Sequence, residues 1–265
     1  MLDLHACLMG AAAVLVLALL TWGVSVAKTD VSIVDSLWSV LISTAAFVYA
    51  IAAPQTGART VWVLALLAAW ALRLSVHITW RSWGEPEDHR YQAIRARNQP
   101  NFAFKSLYLI FILQGVLAWI VALPLMAAVS STQTPGWLDA LGALLVVFGA
   151  GFESIGDWQL VRFKGRAENR GRVMDQGLWR YTRHPNYFGE FCAWWGFYLI
   201  ALSAGGWWTI LSPAFMTLTL LKVSGVALLE KSMSERRPAY RDYIARTNAF
   251  FPGPPRAATP VAEKD

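Results

Sequence analysis

Charge is scarce in this chain. Of its 265 residues 15% are charged against 56% hydrophobic, and mean hydropathy is +0.40. No stretch is left over for a soluble domain and no long linker divides the chain, so a single membrane domain over 1–265 is expected. Cysteine is nearly absent. Cys7 and Cys192 both sit in or beside apolar segments and give no disulfide framework. The four histidines are scattered, with no His-x-x-x-His and no Cys-x-x-Cys, so no metal site is expected. A glycine fingerprint for a dinucleotide is missing too. Gly149-Ala-Gly151 precedes Gly156, but it lies inside a helical span with no strand before it, which excludes a Rossmann fold and suits close helix packing instead. Any nucleotide must then be held by side chains between helices. The first apolar segment has no basic n-region and no convincing cleavage site, so it reads as a retained helix and not a signal peptide.

What the chain does have is long apolar runs. About 20 residues cross ~30 Å of hydrocarbon. Seven runs approach that length, roughly 9–27, 31–53, 60–80, 106–129, 137–156, 187–205 and 206–229. The second and third turn around Pro54-Gln-Thr-Gly57, and the last two meet in a tight hairpin at Ala204-Gly-Gly206. With seven spans, the N-terminus and the second, fourth and sixth loops share one face, which carries one basic residue, Arg59. The opposite face carries Lys28, the group from Arg81 to Lys105, the run from Arg162 to Arg183 and the basic tail. By the positive-inside rule the expected architecture is all-α with seven transmembrane helices, N-terminus out and C-terminus in. Residues 1–130 would enclose a substrate cavity, and 131–255 would supply cofactor-binding helices, a basic cytosolic loop and a tail. The net charge of +6 lies in membrane-flanking loops, where topology and anionic headgroups account for most of it, so nucleic acid is not an expected partner.

The polar residues concentrate the functional signal. Gly177-Leu-Trp-Arg-Tyr-Thr-Arg-His-Pro-Asn-Tyr-Phe-Gly-Glu190 runs straight into an apolar span, and ionisable residues at such a mouth are costly to keep. A helix beginning near His184-Pro185 would put Arg183, Asn186/Tyr187 and Glu190 on one face, with Pro185 suited to the first turn. Glu153, Asp157 and Lys164 share another helical face. Seven basic residues fall between Arg162 and Arg183, more than topology requires, which suits an anionic cofactor. In the tail, Tyr240, Tyr243 and Arg246/Thr247 recur at helical spacing and predict a short helix folding back over the cytosolic mouth. In the first half Asp35 stands in an otherwise uncharged span, and Arg73, His77 and Arg81 form a stripe. Asp35 either locks two helices by pairing with Arg73 or lines an apolar cavity as a proton donor.

Asp157 with Lys164, the Arg172 to Gly177 approach, Asn186-Tyr-Phe-Gly-Glu190 and the Tyr240/Tyr243/Arg246 tail resemble the C-terminal half of steroid 5-alpha-reductases, over about residues 150–252. Those membrane enzymes use NADPH to reduce the double bond of a 3-oxo-Δ4 steroid. The resemblance implies an integral multi-pass protein with its cofactor side cytosolic. It also implies NADPH held by Glu153, Asp157, Lys164, Arg172, Arg183, His184, Asn186, Tyr187, Glu190, Glu230, Tyr243 and Arg246. Glu153 stands where the family has Asn, and Lys164 where it has a phosphate-binding Arg. The family engages the 3-keto group with a Glu on the second span and a Tyr on the third. Asp35 falls near the first, while Trp70, one turn from Arg73, falls at the second. Trp70 has no phenolic proton to give, so either Asp35 is the acid alone, or a tyrosine such as Tyr91 or Tyr108 takes part, or the substrate differs. Trp38, Trp70 and Arg73 would line a slot for a steroid-like or lipid substrate. No obligate protein partner is implied. The Arg-His-Pro-Asn-Tyr stretch also resembles S-adenosylmethionine-dependent membrane methyltransferases of isoprenylcysteine or phospholipid type, which usually carry two adjacent glutamates before the tail. Leu229-Glu230 offers one.

Overall fold

The computed structural model describes residues 3–223, 226, 230 and 239–256. Every regular element among them is helical. In chain order these are α1 (Leu4–Lys28), α2 (Ile33–Ala52), α3 (Ala58–Ser82), a polar helix α4 (His89–Arg97) and α5 (Phe102–Val121). There follow α6 (Leu123–Val129), α7 (Trp137–Lys164), α8 (Pro185–Ser203), α9 (Leu211–Leu218) and α10 (Ala239–Arg246). Five of these, α1, α2, α3, α5 and α7, are long and apolar enough to cross a membrane, which marks an integral membrane protein.

The remaining expected spans differ from their sequence outline for local reasons. The run 106–129 breaks after Val121, because Pro124 has no N–H for a helical bond and sits in the first turn of the separate α6. Run 187–205 becomes α8, 19 residues whose first turns carry Asn186 and Glu190. Run 206–229 is segmented into a 3-10 turn (Trp207–Ile210), α9 and a π-helical turn (Thr219–Val223). The rest of that run lies outside the described residues apart from Val226.

By contact the chain forms two compact units. One is Met1–Ala143 with Phe197–Ser212, the other Leu144–Gly196 with Pro213–Asp265. In the first unit α1 packs on α2, and α2 on α3, with α5 and α6 against them. Asp3 caps α1 by accepting the Ala6 N–H at 3.0 Å. The buried face of α1 is Ala6, Cys7, Gly10, Val14, Ala18, Thr21 and Ser25, while Leu4, Leu8, Leu15, Leu19 and Leu20 are exposed. Small residues inside and large apolar residues outside is the pattern of a helix that packs closely on its neighbours and faces lipid. Gly10 is the tightest point, since an added Cβ would lie 2.3 Å from the buried Tyr49 ring.

One end of this unit gathers the turns that follow α2, α5–α6 and α8. Arg59, wholly buried at the start of α3, donates from Nε to Asp139 at 2.6 Å and from Nη2 at 3.1 Å. It also reaches Ser131 Oγ at 2.9 Å and the Gln133 carbonyl at 3.3 Å. The Ser203 hydroxyl donates to Asp139. Gly205, at φ +82, and Gly206 turn the chain after α8 as the hairpin expectation requires. The Gly206 N–H bonds the Ala201 carbonyl at 2.7 Å.

In the second unit α7 and α8 meet backbone to backbone. A Cβ on Gly149 would lie 2.4 Å from the Gly189 carbonyl oxygen, and one on Gly156 would lie 3.1 Å from Pro185. The expected packing role of Gly149 therefore holds, whereas a Cβ on Gly151 would meet nothing within 4 Å.

Candidate functional site

In the second unit, α8 begins at Pro185 as its fixed φ favours, and the Thr182 hydroxyl accepts the His184 N–H at 3.2 Å just ahead of it. The preceding residues are fastened to the tail. The Arg183 N–H bonds the Asn248 carbonyl at 2.9 Å, the Thr182 hydroxyl donates to the Phe250 carbonyl at 2.8 Å, and the Gly253 N–H reaches the Tyr181 carbonyl at 3.1 Å. The Tyr243 hydroxyl donates to the Trp179 carbonyl. The Arg183 guanidinium, buried, donates to Glu230 at 2.7 Å, to the Ile244 carbonyl at 3.1 Å and to the Thr247 carbonyl. These are carbonyls at the C-terminal end of α10, where a cation is favoured by the helix dipole as well.

Glu230 also lies 3.2 Å from the His184 ring, and that ring stacks on Tyr187 with centroids 5.4 Å apart. Burial alone would raise the Glu230 pKa, but the hydrogen bonds from His184 and Arg183 outweigh it and hold the carboxyl below the usual carboxylate range. Burial, and then the charge of Glu230, push the Tyr240 hydroxyl up to about 12. Gln159 and Trp179 complete the arrangement. Gln159 Oε1 accepts the Leu178 N–H at 2.9 Å, and the Trp179 indole donates to the Gly156 carbonyl at 2.9 Å, so α7 holds the turn that leads into the motif. Neither was expected from sequence. A glutamine and a tryptophan used against backbone leave no spacing signal.

All twelve residues expected to hold a cofactor belong to this unit. Glu153, Asp157 and Glu190 are buried, Asn186 and Tyr187 half-buried, and Lys164 and Arg172 exposed. Arg246 is half-exposed, 3.6 Å from Asp175. Glu190 accepts the Trp194 indole N–H at 3.1 Å, one helical turn on. The hydrogen bonds of Arg183 and Tyr243 knit the tail to the motif.

The first unit holds the residues expected to act on a substrate. Asp35 lies in the first turn of α2, an apolar helix long enough to span a membrane. Its Oδ2 accepts from Arg90 Nη2 at 2.7 Å and its Oδ1 from the Tyr91 hydroxyl at 2.5 Å. The first of the two alternatives left open for Asp35 is thereby revised. Its cation is Arg90 of α4 and not Arg73, and its second oxygen meets the Tyr91 hydroxyl. Tyr91 is the tyrosine that reaches it. Tyr108, on α5, is exposed and meets Phe104 edge-on at 6.4 Å. Burial, and then the neighbouring Asp35 charge, raise the Tyr91 pKa, so its proton stays in place at neutral pH.

Around this pair, Asp88 accepts from Arg90 at 2.9 Å, and Arg95 pairs with Glu87 at 2.7 Å while donating to the Thr29 carbonyl at 3.1 Å. Glu87 accepts the Val31 N–H at 3.0 Å. These bonds buckle α4 to the α1–α2 turn. Tyr91 packs with Val31, Val34, Phe102 and Phe111. On the facing helices Ser39 Oγ donates to the Ala71 carbonyl at 2.9 Å and Ser75 Oγ to the Ser36 carbonyl at 2.8 Å, fixing α2 on α3. Trp70 is buried, and Trp38 and Arg73 are half-buried.

Residues 21–247 match the family described as "Protein of unknown function (DUF1295)". The chain belongs to that family. It is also similar to an uncharacterized protein, C594.04c, of Schizosaccharomyces pombe, with 28% identity over 262 residues, covering 87% of this chain and 75% of the yeast protein. No solved structure matches it.

Proposed function

We propose that this chain is an NADPH-dependent membrane reductase that saturates the carbon–carbon bond of an α,β-unsaturated ketone, with a 3-oxo-Δ4 steroid or similar lipid as substrate. The observation that carries the reading is that the twelve residues which the resemblance to steroid 5-alpha-reductases points to, Glu153 and Lys164 standing in for other residues of the pattern, all belong to one compact unit. The side chains suit that cofactor. Buried carboxylates on α7 and α8, with the half-buried Asn186, would accept from ribose hydroxyls and the nicotinamide amide, and the exposed Lys164 and Arg172 would neutralise phosphates. When bound, the cofactor supplies the hydride. As the β-carbon is reduced, negative charge gathers on the carbonyl oxygen, where a hydroxyl stabilises it; the α-carbon then takes a proton from water and the carbonyl re-forms. Tyr91 is the donor in this reading: its single O–H, which bonds Asp35 in the absence of substrate, would turn to the carbonyl oxygen on binding, while Asp35 is held in place by Arg90.

The topology proposed with it is seven spans, N-terminus out and cofactor side cytosolic. The end of the first unit that gathers the turns after α2, α6 and α8 supports this, because Arg59, the basic residue of those turns, is buried in its ion pair. A methyltransferase remains the second reading, favoured by one contact, that of Glu230 with Arg183 and His184.

Titrating NADPH and S-adenosylmethionine separately into the purified protein distinguishes the two. NADPH is expected to bind, and Asn186→Ala or Asp157→Asn to weaken it by about 1–3 kcal/mol per partner left unsatisfied. Tight binding of S-adenosylmethionine without NADPH would overturn the proposal.

A further inference from the structure

One face of α7 is exposed along nearly its whole length. Trp137, Leu141, Leu144 and Phe148, and then Ile155, Trp158 and Arg162, recur three to four positions apart within each group, with Gly151 between the groups, and these seven side chains are all exposed. Gly151, on the same line, leaves a gap where a Cβ would meet nothing within 4 Å. The stripe is apolar between two tryptophans, Trp137 at 75% exposure and Trp158 at 58%. At about 1.5 Å per residue they stand ~32 Å apart along the axis, close to the ~30 Å thickness of the hydrocarbon core. Tryptophan collects at both headgroup levels of a bilayer. The two rings thus mark where lipid tails end on this helix.

One turn beyond the second ring, the Arg162 guanidinium lies over the Trp158 indole, 5.3 Å from its centroid. Stacking leaves the edge of the guanidinium, with its N–H donors, directed away from the ring. Its neighbourhood is strongly cationic: Arg162, Lys164, Arg166, Arg170 and Arg172 occur with one carboxylate, Glu168, between them, and all six are exposed. An exposed apolar stripe of bilayer height that ends in a stacked arginine beside further cations fits one amphiphile, with acyl chains along the stripe and an anionic phosphate at its head.

We infer that Trp158 and Arg162 form a docking site for an anionic phospholipid, its phosphate on the Arg162 guanidinium, its glycerol beside the Trp158 indole and its chains along Ile155 and Phe148. Arg166, one turn further, adds charge to the same headgroup. Trp158, Arg162 and Arg166 are not among the twelve residues proposed to hold the cofactor, whereas Lys164 and Arg172 beside them are.

The test uses full-length protein in nanodiscs of phosphatidylcholine mixed with phosphatidylglycerol, with lipids retained after extraction counted by native mass spectrometry. The wild type should retain phosphatidylglycerol over phosphatidylcholine. Arg162→Gln should lower that preference about five-fold, the weight of one basic side chain at an anionic surface. Arg97→Gln removes an exposed charge elsewhere and should leave the preference unchanged. Trp158→Leu, which keeps the charge and loses the stacked ring, should weaken it as well. An unaltered preference in Arg162→Gln, or an equal loss in Arg97→Gln, would overturn the assignment. So would displacement of the retained lipid by inorganic phosphate, which would make this a free-anion site.

Discussion

Asp35 accepts a guanidinium and a phenol at once, and that pairing determines what each of the three residues can do. The carboxylate orients Tyr91, and Arg90 stabilises the carboxylate. If Tyr91 donates to a substrate carbonyl, Tyr91→Phe should lower turnover of a 3-oxo-Δ4 steroid by about 10²-fold or more, the usual scale for a lost oxyanion donor. Asp35→Asn should produce a similar loss with NADPH binding retained. Single-turnover kinetics with saturating cofactor reads both variants, and full activity in Tyr91→Phe would remove it from the reaction. Asp35 was visible in the sequence as a lone charge in an apolar run. Arg90 was not visible as its partner, because it lies 55 positions away and the pairing depends on how α4 folds back on the α1–α2 turn. A second buried pair makes a stability prediction. Arg59→Ala strands the Asp139 carboxylate and should cost about 3–5 kcal/mol, whereas replacing both residues by apolar ones of similar size should cost far less. Thermal unfolding in detergent measures both.

At the scale of elements, the tail and the 179–184 segment act as one piece. Arg183 is its rivet: Arg183→Ala removes donors to Glu230, Ile244 and Thr247 together and should release α10. Hydrogen exchange over 239–256 would report the loss as faster exchange in that stretch alone. The Glu230 carboxyl has a lowered pKa when folded, so its contribution is fully present above the unfolded carboxylate range and is lost as pH falls through the folded value. Tail protection should therefore hold at neutral pH and decline only below about pH 4, and Glu230→Gln should remove that acid transition.

Helical spacing made α10 and the start of α8 legible, because tyrosine recurrence and a proline after a histidine are local signals. Gly149 was legible as a packing residue, since only glycine permits the backbone approach to Gly189. The segmentation of 206–229 was not, because apolar content registers the same in a straight helix as in a chain of short turns.

For the whole molecule, composition alone led to the membrane, and the structure agrees through five long apolar helices. It did not yield the inner face of α1. In a membrane helix the buried side is small rather than more hydrophobic, so hydropathy carries no directional signal. The proposed topology predicts that single cysteines placed near Gln55 and near Arg172 label from opposite sides of the bilayer, and same-side labelling would contradict it.

The central claim is hydride transfer, and isotope transfer tests it most directly. The full-length protein in liposomes would be given NADPH deuterated at the transferring position together with a 3-oxo-Δ4 steroid, and the product weighed by mass spectrometry. The account predicts a saturated ketone carrying one deuterium, formed more slowly by Asn186→Ala when NADPH is below saturation. A product without deuterium, or no reduction by well-folded protein that binds NADPH, would contradict it.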